Sequence, residues 1–492
     1  MKFNISHVGK IESAEIEIKP LTIFIGQNNS GKTYAASSLW AILNYIEENT
    51  STLPNSKNAL VSEETYQKYK NIFKEILVNF SIKETPYTVK IMKRELNELE
   101  KEINKNIIKR SSEILTKCFK YNDFKTSTLF ISDSSKSALT FTFELEEHSS
   151  IDTDNVDNNF SDFEEVENSY TLNIKANKRT ILRASSIPLK SIREGFSEII
   201  PRHIIKFIIY YSYLGDMEKE FRETIYVPAA RTGLMYGIHD IVQGSFELNN
   251  QFLINKRLSN EKLNDKLQLT APLIDFISSI NKKSSPMRRA LLTSKTKPKR
   301  GSNSLKVMID GDISLNNTSK NFEYTPKNNL LNIPLPATSS LITELAALNI
   351  LEEDIREGAL LFFEEPEAHL HLAAQRQMAR FIVTLINKGC HMIITTHSDT
   401  FLQQLNNLLM LDKISKYNPA ILSELEIEKD EIMSNDKVAV YDFYCDSSKT
   451  QVNRLDFGKY GFVADSLNEV IFKLATETQR INDEIDNLTI KE

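Results

Sequence analysis

A mixed α/β sheet with flanking helices, interrupted by a helical and β insertion, is the fold this sequence predicts. Three stretches predict it. The first is the apolar run Leu21-Thr22-Ile23-Phe24-Ile25, followed by the loop from Gly26 to Thr33 and the apolar-rich segment 34–43. The second is Leu360-Leu361-Phe362-Phe363, ending in Glu364-Glu365-Pro366, and the third is Met392-Ile393-Ile394-Thr395-Thr396, ending in His397-Ser398-Asp399. Short solid apolar runs suit strands buried on both faces, as parallel sheets require.

The loop Gly26-Gln27-Asn28-Asn29-Ser30-Gly31-Lys32-Thr33 fits G-x-x-x-x-G-K-T. Its glycines let backbone N–H groups curl around phosphate oxygens, its lysine reaches the β- and γ-phosphates, and its threonine hydroxyl ligates Mg²⁺. The following helix aims its positive end at the same place. Gly26, Asn28, Asn29, Ser30, Gly31, Lys32, Thr33 and Tyr34 are therefore the candidate nucleotide-binding residues.

Composition narrows the class. The 492-residue chain carries a net charge of −6 with 26% charged residues, which excludes a nucleic-acid-coating polycation and leaves only local patches for DNA or RNA. Cys118, Cys390 and Cys445 form no C-x-x-C pair, against a disulfide framework or a thiolate zinc site. With no signal-peptide core and no apolar run of about 18 residues, a soluble cytoplasmic protein with no membrane contact is expected.

Taken in order, residues 1–25 read as three short strands. Residues 66–80 read as a helix, and 89–119 as a long amphipathic helix or helix pair with Leu96, Leu99, Ile103, Ile107 and Leu115 on one stripe. Strands at 139–143 and 170–174 flank an acidic segment, 144–167, expected to be a solvated loop rather than a metal cage. Thr224-Ile225-Tyr226-Val227 is a further apolar strand ending in Pro228-Ala229-Ala230-Arg231. That places Arg231 at a sheet edge, either facing phosphate or held in a structural salt bridge.

Residues 238–280 read as helical. Residues 281–300, with Lys282, Lys283, Arg288, Arg289, Lys295, Lys297, Lys299 and Arg300 and no acid, are either a phosphate-neutralising patch or a solvated loop. A hairpin is expected from 305–309 and 313–315, with Asp310-Gly311-Asp312 as its turn. The glutamates at the tip of the 360–363 strand would repel unless a cation or proton is shared, so Glu364 is the natural Mg²⁺ partner and Glu365 the base that orients the attacking water. A helix at 375–388 leads to the strand ending in His397, a candidate to hydrogen-bond a γ-phosphate. His369 and His371 resemble metal ligands only superficially, and a loop facing a second protomer accounts for them better. A hairpin at 438–444 and 451–455 and a helix at 462–486 close the chain.

Gly26–Thr33, Leu360–Glu365 and Thr395-Thr396-His397-Ser398, in that order, resemble Walker A, Walker B and the switch histidine of ATP-binding-cassette (ABC-type) P-loop ATPase heads. "FIGQNNSGKT", "FFEEPEAHLHLAAQRQ" and "IITTHSDTF" are most similar to the branch that holds the SMC, RecF and OLD proteins and the defence ATPases of the Septu and PARIS type. The resemblance covers the first 45 residues and roughly 220–410. It implies ATP as substrate, Mg²⁺ on Thr33 and Glu364, Glu365 activating water, His397 sensing γ-phosphate, and 366–371 as a D-loop at a dimer seam. The signature region falls at Pro336-Ala337-Thr338-Ser339-Ser340, before a helix at 341–351. Without a double glycine, its phosphate contact rests on Thr338, Ser339, Ser340 and the helix N-terminus. Glu364 stands where aspartate is usual, and the Q-loop region has Arg231 in "YVPAAR". The division implied is an N-terminal ATPase lobe (1–50), an insertion (51–220), an ATPase core (221–410) and a C-terminal hairpin and helix (411–492). The tail has no D-x-D and no H-N-H nuclease signature. A homodimer or higher homo-oligomer with ATP at the seam, acting on a separate effector nuclease or toxin, is expected, with a DNA repair or recombination ATPase of the RecF type as the alternative.

Overall fold

The structure is a computed structural model, and it describes residues 1–50, 56–79, 86–132, 137–148, 169–177, 179–188, 191, 199–214, 223–237, 269–284, 305, 308–316, 321–328, 331–352, 355, 357–446 and 448–489. In chain order the elements are β1 (Lys2–Val8), β2 (Ile11–Glu17), β3 (Leu21–Ile25), α1 (Lys32–Asn49), α2 (Glu63–Asn79), β4 (Tyr87–Ile91), α3 (Lys93–Phe119), β5 (Thr128–Ser132), β6 (Leu139–His148), β7 (Ser169–Ala176), β8 (Arg179–Pro188) and α4 (Ile199–Leu214). Then come β9 (Glu223–Val227), α5 (Ala271–Ser284), β10 (Gly311–Leu315), β11 (Phe322–Pro326), β12 (Ile333–Pro334), α6 (Ser340–Leu351), β13 (Ala359–Glu364), α7 (Leu372–Asn387), β14 (His391–Thr396), α8 (Asp399–Ile414), α9 (Ala420–Glu424), β15 (Val438–Asp446), β16 (Lys449–Leu455) and α10 (Asp465–Thr489).

The chain divides into two compact units, one of Met1, 45–109 and 131–218, the other of 2–44, 110–130 and 219–492. The second unit holds a nine-stranded sheet in the order β5-β1-β2-β16-β15-β3-β14-β13-β9. Its five strands from β15 to β9 are all parallel. Every residue of β3, β13 and β14 is buried, as a sheet covered on both faces requires. Period-two alternation sorts the side chains. Leu21, Ile23, Ile25, Leu361, Phe363 and Ile394 join the core built with α6, α7 and α8. On the other face Tyr226 stacks on Phe362 and meets the α1 residue Trp40 edge-on. This is the mixed α/β P-loop fold that the sequence predicts.

The first unit contains the antiparallel sheet β4-β6-β7-β8. Phe73 of α2 packs on Phe141 and Phe143 of β6, and Phe207 of α4 packs on Phe141. The predicted helix 89–119 is a single helix, α3, preceded by β4, and the predicted stripe of Leu96, Leu99, Ile103, Ile107 and Leu115 is buried. The strand expected to stop at 143 continues to His148, because Leu145 still alternates inward and Glu144 pairs across the sheet with Lys175. The rest of the acidic segment, 149–167, lies outside the described residues.

The hairpin expected at 305–315 does not form. Leu305, Met308 and Ile309 are helical, with Leu305 and Ile309 buried one helical turn apart, and β10 pairs instead with β11. Of the predicted helix 238–280, residues 238–268 lie outside the described residues and 271–284 form α5. The basic residues 285–300 also lie outside them, as do the side chains of Lys282 and Lys283.

Candidate nucleotide-binding and hydrolytic site

The parallel strands end almost flush. Glu364 pairs in register with Thr395, Thr396 with Ile25, and Phe363 with Val227. Whatever follows each strand therefore gathers at one edge: Gly26 after β3, Pro228 to Arg231 after β9, Glu365 after β13 and His397 after β14. Residues that span most of the chain meet because of register alone.

The loop after β3 takes a conformation its residue types permit. Gly26 and Gly31 have φ +142° and +93°, and a Cβ on Gly26 would sit 2.5 Å from the Phe443 carbonyl oxygen. Asn29 holds φ +60°, a left-handed conformation that asparagine tolerates. Lys32 Nζ donates to the carbonyls of Gly26 (2.9 Å) and Gln27 (2.7 Å) and to Ser30 Oγ (3.3 Å). Burial pushes its pKa down to about 8, against the pull of Glu365, Glu367 and Asp442. Tyr34 is partly exposed, with its ring 4.7 Å from that of Phe119.

Strand parity turns Glu364 toward α1 and Tyr226. Its Oε1 accepts from the Tyr226 hydroxyl (2.7 Å), its Oε2 from the Ala229 N–H (3.0 Å), and the Thr33 hydroxyl is a further hydrogen-bond partner. Burial raises its pKa, opposed by these hydrogen bonds, while the charge of Glu365 adds to the rise. Ser37 Oγ lies 2.8 Å from the Tyr226 hydroxyl. Among the described residues no group of three or more His, Cys, Asp or Glu side chains is placed to hold a metal. A hydroxyl beside one carboxylate nevertheless suits Mg²⁺, which keeps waters and takes its remaining ligands from substrate phosphates.

Glu365 lies just past the strand, with φ +43°. Its N–H donates to the Thr395 carbonyl (2.8 Å) and its side chain meets His397 Nε2 at 2.7 Å. The other ring nitrogen of His397 faces the Gly26 carbonyl at 3.1 Å. A carbonyl and a carboxylate both accept, so the ring that satisfies both is protonated on both nitrogens. The directions agree: the hydrogen bond to Glu365 raises the His397 pKa, and the same bond lowers that of Glu365, each opposed by burial. Glu367 braces the histidine by accepting from its N–H and from the Thr396 hydroxyl, both at 2.7 Å.

Arg231, placed by the sequence at a sheet edge, is only 1% exposed and turned inward. One guanidinium nitrogen donates to the carbonyls of Pro228 (3.1 Å) and Glu364 (2.8 Å), and the other to that of Glu365 (2.9 Å). Nε pairs with Glu344 of α6, also 1% exposed, and the guanidinium sits 5.0 Å from the Phe363 ring centroid. Of the two readings open at the sequence level, the geometry is that of the structural salt bridge.

Thr338, Ser339 and Ser340 shape the start of α6. Ser339 caps it by accepting from the Ile342 N–H (3.4 Å), Thr338 Oγ1 donates to the Leu335 carbonyl (2.7 Å), and Ser340 is the first helical residue. His371 caps α7, and His369 lies in the preceding turn at φ +58° with Nε2 3.7 Å from a Glu344 oxygen. Sequence reasoning missed Tyr226, Glu344 and Glu367 as parts of the site. Glu344 had a signal: it is a lone acid in a helix otherwise apolar at Ile342, Leu345, Ala346 and Leu348.

A glycine-bearing phosphate loop between a central parallel strand and a helix, with carboxylates delivered by a neighbouring strand, defines a P-loop nucleotide hydrolase. The chain belongs to the AAA_15 family: the family's model, described as "AAA ATPase domain", matches residues 1–402. The protein is an ATPase. Similar solved structures include an SMC head bound to the C-winged helix domain of ScpA (12% identity, covering 93% of this chain and 98% of that one, TM-score 0.30). Two others are an Smc head with an extended coiled coil bound to the C-terminal domain of ScpA, derived from Pyrococcus furiosus (12%, 97% and 98%, 0.31), and an SMC head from Thermotoga maritima (9%, 92% and 98%, 0.29). No curated protein matches the chain.

Proposed function

We propose that Glu365 is the general base of ATP hydrolysis and that His397 couples it to the phosphate loop. The observation that carries this reading is the Gly26–His397–Glu365 chain of contacts at 3.1 and 2.7 Å, assembled from three strand ends. While His397 donates to Glu365, the carboxylate is a weak base. When that N–H turns to an anionic γ-phosphate, Glu365 regains basicity and takes the proton of the attacking water. Lys32 exchanges its carbonyl partners for phosphate oxygens, and the loop N–H groups of 26–33 cradle the phosphates. Thr33 and Glu364 would hold Mg²⁺, which screens the phosphate charge during transfer. The segment Thr338, Ser339 and Ser340, at the N-terminus of α6, would meet the nucleotide of a second protomer, so that ATP closes a dimer and hydrolysis releases it.

At the level of biology, we infer a regulatory ATPase of prokaryotic anti-phage defence that gates a separate effector nuclease or toxin. Support comes from the three-motif resemblance. A DNA repair ATPase is the second reading, favoured by the acid-free basic block 281–300. Co-purification with the products of adjacent genes, weighed with and without ATP, separates the two. A stoichiometric complex with a nuclease or toxin supports the first. A lone ATP-dependent dimer that binds DNA, with salt-dependent affinity lost when Lys297, Lys299 and Arg300 become alanine, supports the second and overturns the first.

A further inference from the structure

Helix α10 runs for 25 residues, and every residue from 472 to 485 is exposed. A helix gains most of its stability by burying an apolar stripe against a partner, and Leu474 and Ile481 of this stretch are 63% and 61% exposed. Their spacing is not random. Leucine or isoleucine recurs every seventh residue at 467, 474, 481 and 488, with Ile471, Thr478 and Ile485 four residues after the first three. Alternating steps of four and three are a heptad a/d seam, and a 3.5-residue repeat asks for another helix wound alongside. Lys473, Thr476, Gln479, Arg480 and Asp483 fall on the outer positions, as does Phe472, the one apolar residue among them.

The flanking charges choose the partner. With Leu474 and Ile481 at d and Thr478 at a, Glu477 and Glu484 occupy g, and Ala475 and Asn482 occupy e. In a parallel in-register pair, g faces the e of the next heptad, so Glu477 meets the second copy's Asn482 and no like charges oppose. In an antiparallel pair g faces g, and Glu477 is brought toward the second copy's Glu484. We propose that α10 is a homodimerisation helix that pairs with α10 of a second copy in a parallel coiled coil through Leu474, Thr478 and Ile481. Such a seam does not depend on nucleotide. It holds two heads at high effective concentration, so their closure on ATP becomes an intramolecular step.

The test uses the full chain without nucleotide, which separates this seam from any ATP-dependent one. Sedimentation equilibrium at micromolar concentration is expected to show a dimer. The double variant Leu474→Glu, Ile481→Glu is expected to raise the dissociation constant at least ~100-fold, with its melting curve showing that the heads still fold. A cysteine at a seam position reads out orientation: on oxidation Thr478→Cys is expected to give a disulfide-linked dimer well above the wild-type level, and Gln479→Cys, one step off the seam, is not. A monomer in the absence of nucleotide, or equal cross-linking at 478 and 479, overturns the proposal.

Discussion

Glu364 and Glu365 are adjacent in the chain, yet the two sides of their strand tip are built on opposite plans. On the Glu364 side everything is closed: the carboxylate is buried against Tyr226, the Ala229 N–H and Thr33, and behind it Arg231 and Glu344 form a buried ion pair. On the Glu365 side the carboxylate is partly exposed, and its partner is the half-buried ring of His397. The pKa directions follow, up for Glu364 because burial dominates and down for Glu365 because the imidazolium dominates. Pushing two neighbouring carboxylates apart in this way is what the proposed division of labour requires, one holding a cation and the other moving a proton.

The largest expected effect tests the open side. Glu365→Gln keeps the side-chain shape and a hydrogen bond to His397 but cannot accept a proton. Turnover measured by phosphate release should fall about 10²- to 10⁴-fold, the usual worth of a general base, with ATP binding retained. Wild-type turnover in this variant would remove Glu365 from the chemistry.

The closed side predicts a loss of stability. Arg231→Met leaves Glu344 as an uncompensated buried charge, which should cost about 3–5 kcal/mol in denaturant unfolding. Adding Glu344→Leu should restore much of that stability. It should not restore turnover, because the Glu364 and Glu365 carbonyls still lack the guanidinium that spans them; recovery of both would make Arg231 a stability element alone.

A smaller effect is expected from Tyr226→Phe, which removes the hydroxyl that donates to Glu364. The unfolding cost should be about 1–3 kcal/mol, the range for a buried acceptor that loses its donor. The Mg²⁺ concentration needed for half-maximal turnover should also shift, and an unchanged Mg²⁺ dependence would detach Tyr226 from the metal.

The smallest effect is a pH profile. The His397 pKa is raised from 6.5, so its contribution to stability is full below 6.5 and fades as pH rises through the raised value. The Glu365 pKa is lowered from 4.5, so its contribution is full above 4.5 and fades as pH falls through the lowered value. The stability gap between wild type and His397→Ala should therefore be widest between about pH 4.5 and 6.5 and narrow on the alkaline side. A gap that widens with alkalinity would contradict an ion pair.

Much of this was legible because it is local. The phosphate loop, its strand and its helix lie within the single stretch 21–49, and the apolar runs 360–363 and 392–394 announce buried strands from composition alone. Where the pattern was short and mixed, as at 305–309, a helical period near four was mistaken for period two, since a few residues fit either.

What the amino-acid sequence determined by itself is the local chemistry: a glycine loop able to wrap phosphate, carboxylates and a histidine at strand tips, and a heptad stripe along α10. Only the tertiary structure decided which tips become neighbours. Setting β3 between β14 and β15 brings Gly26 to His397, and packing α6 behind β13 turns Arg231 away from the edge and into a buried pair with Glu344. The physical reason is range: backbone conformation is chosen by a few adjacent residues, whereas pairing partners separated by up to hundreds of residues are chosen by strand order, register and the burial of whole faces.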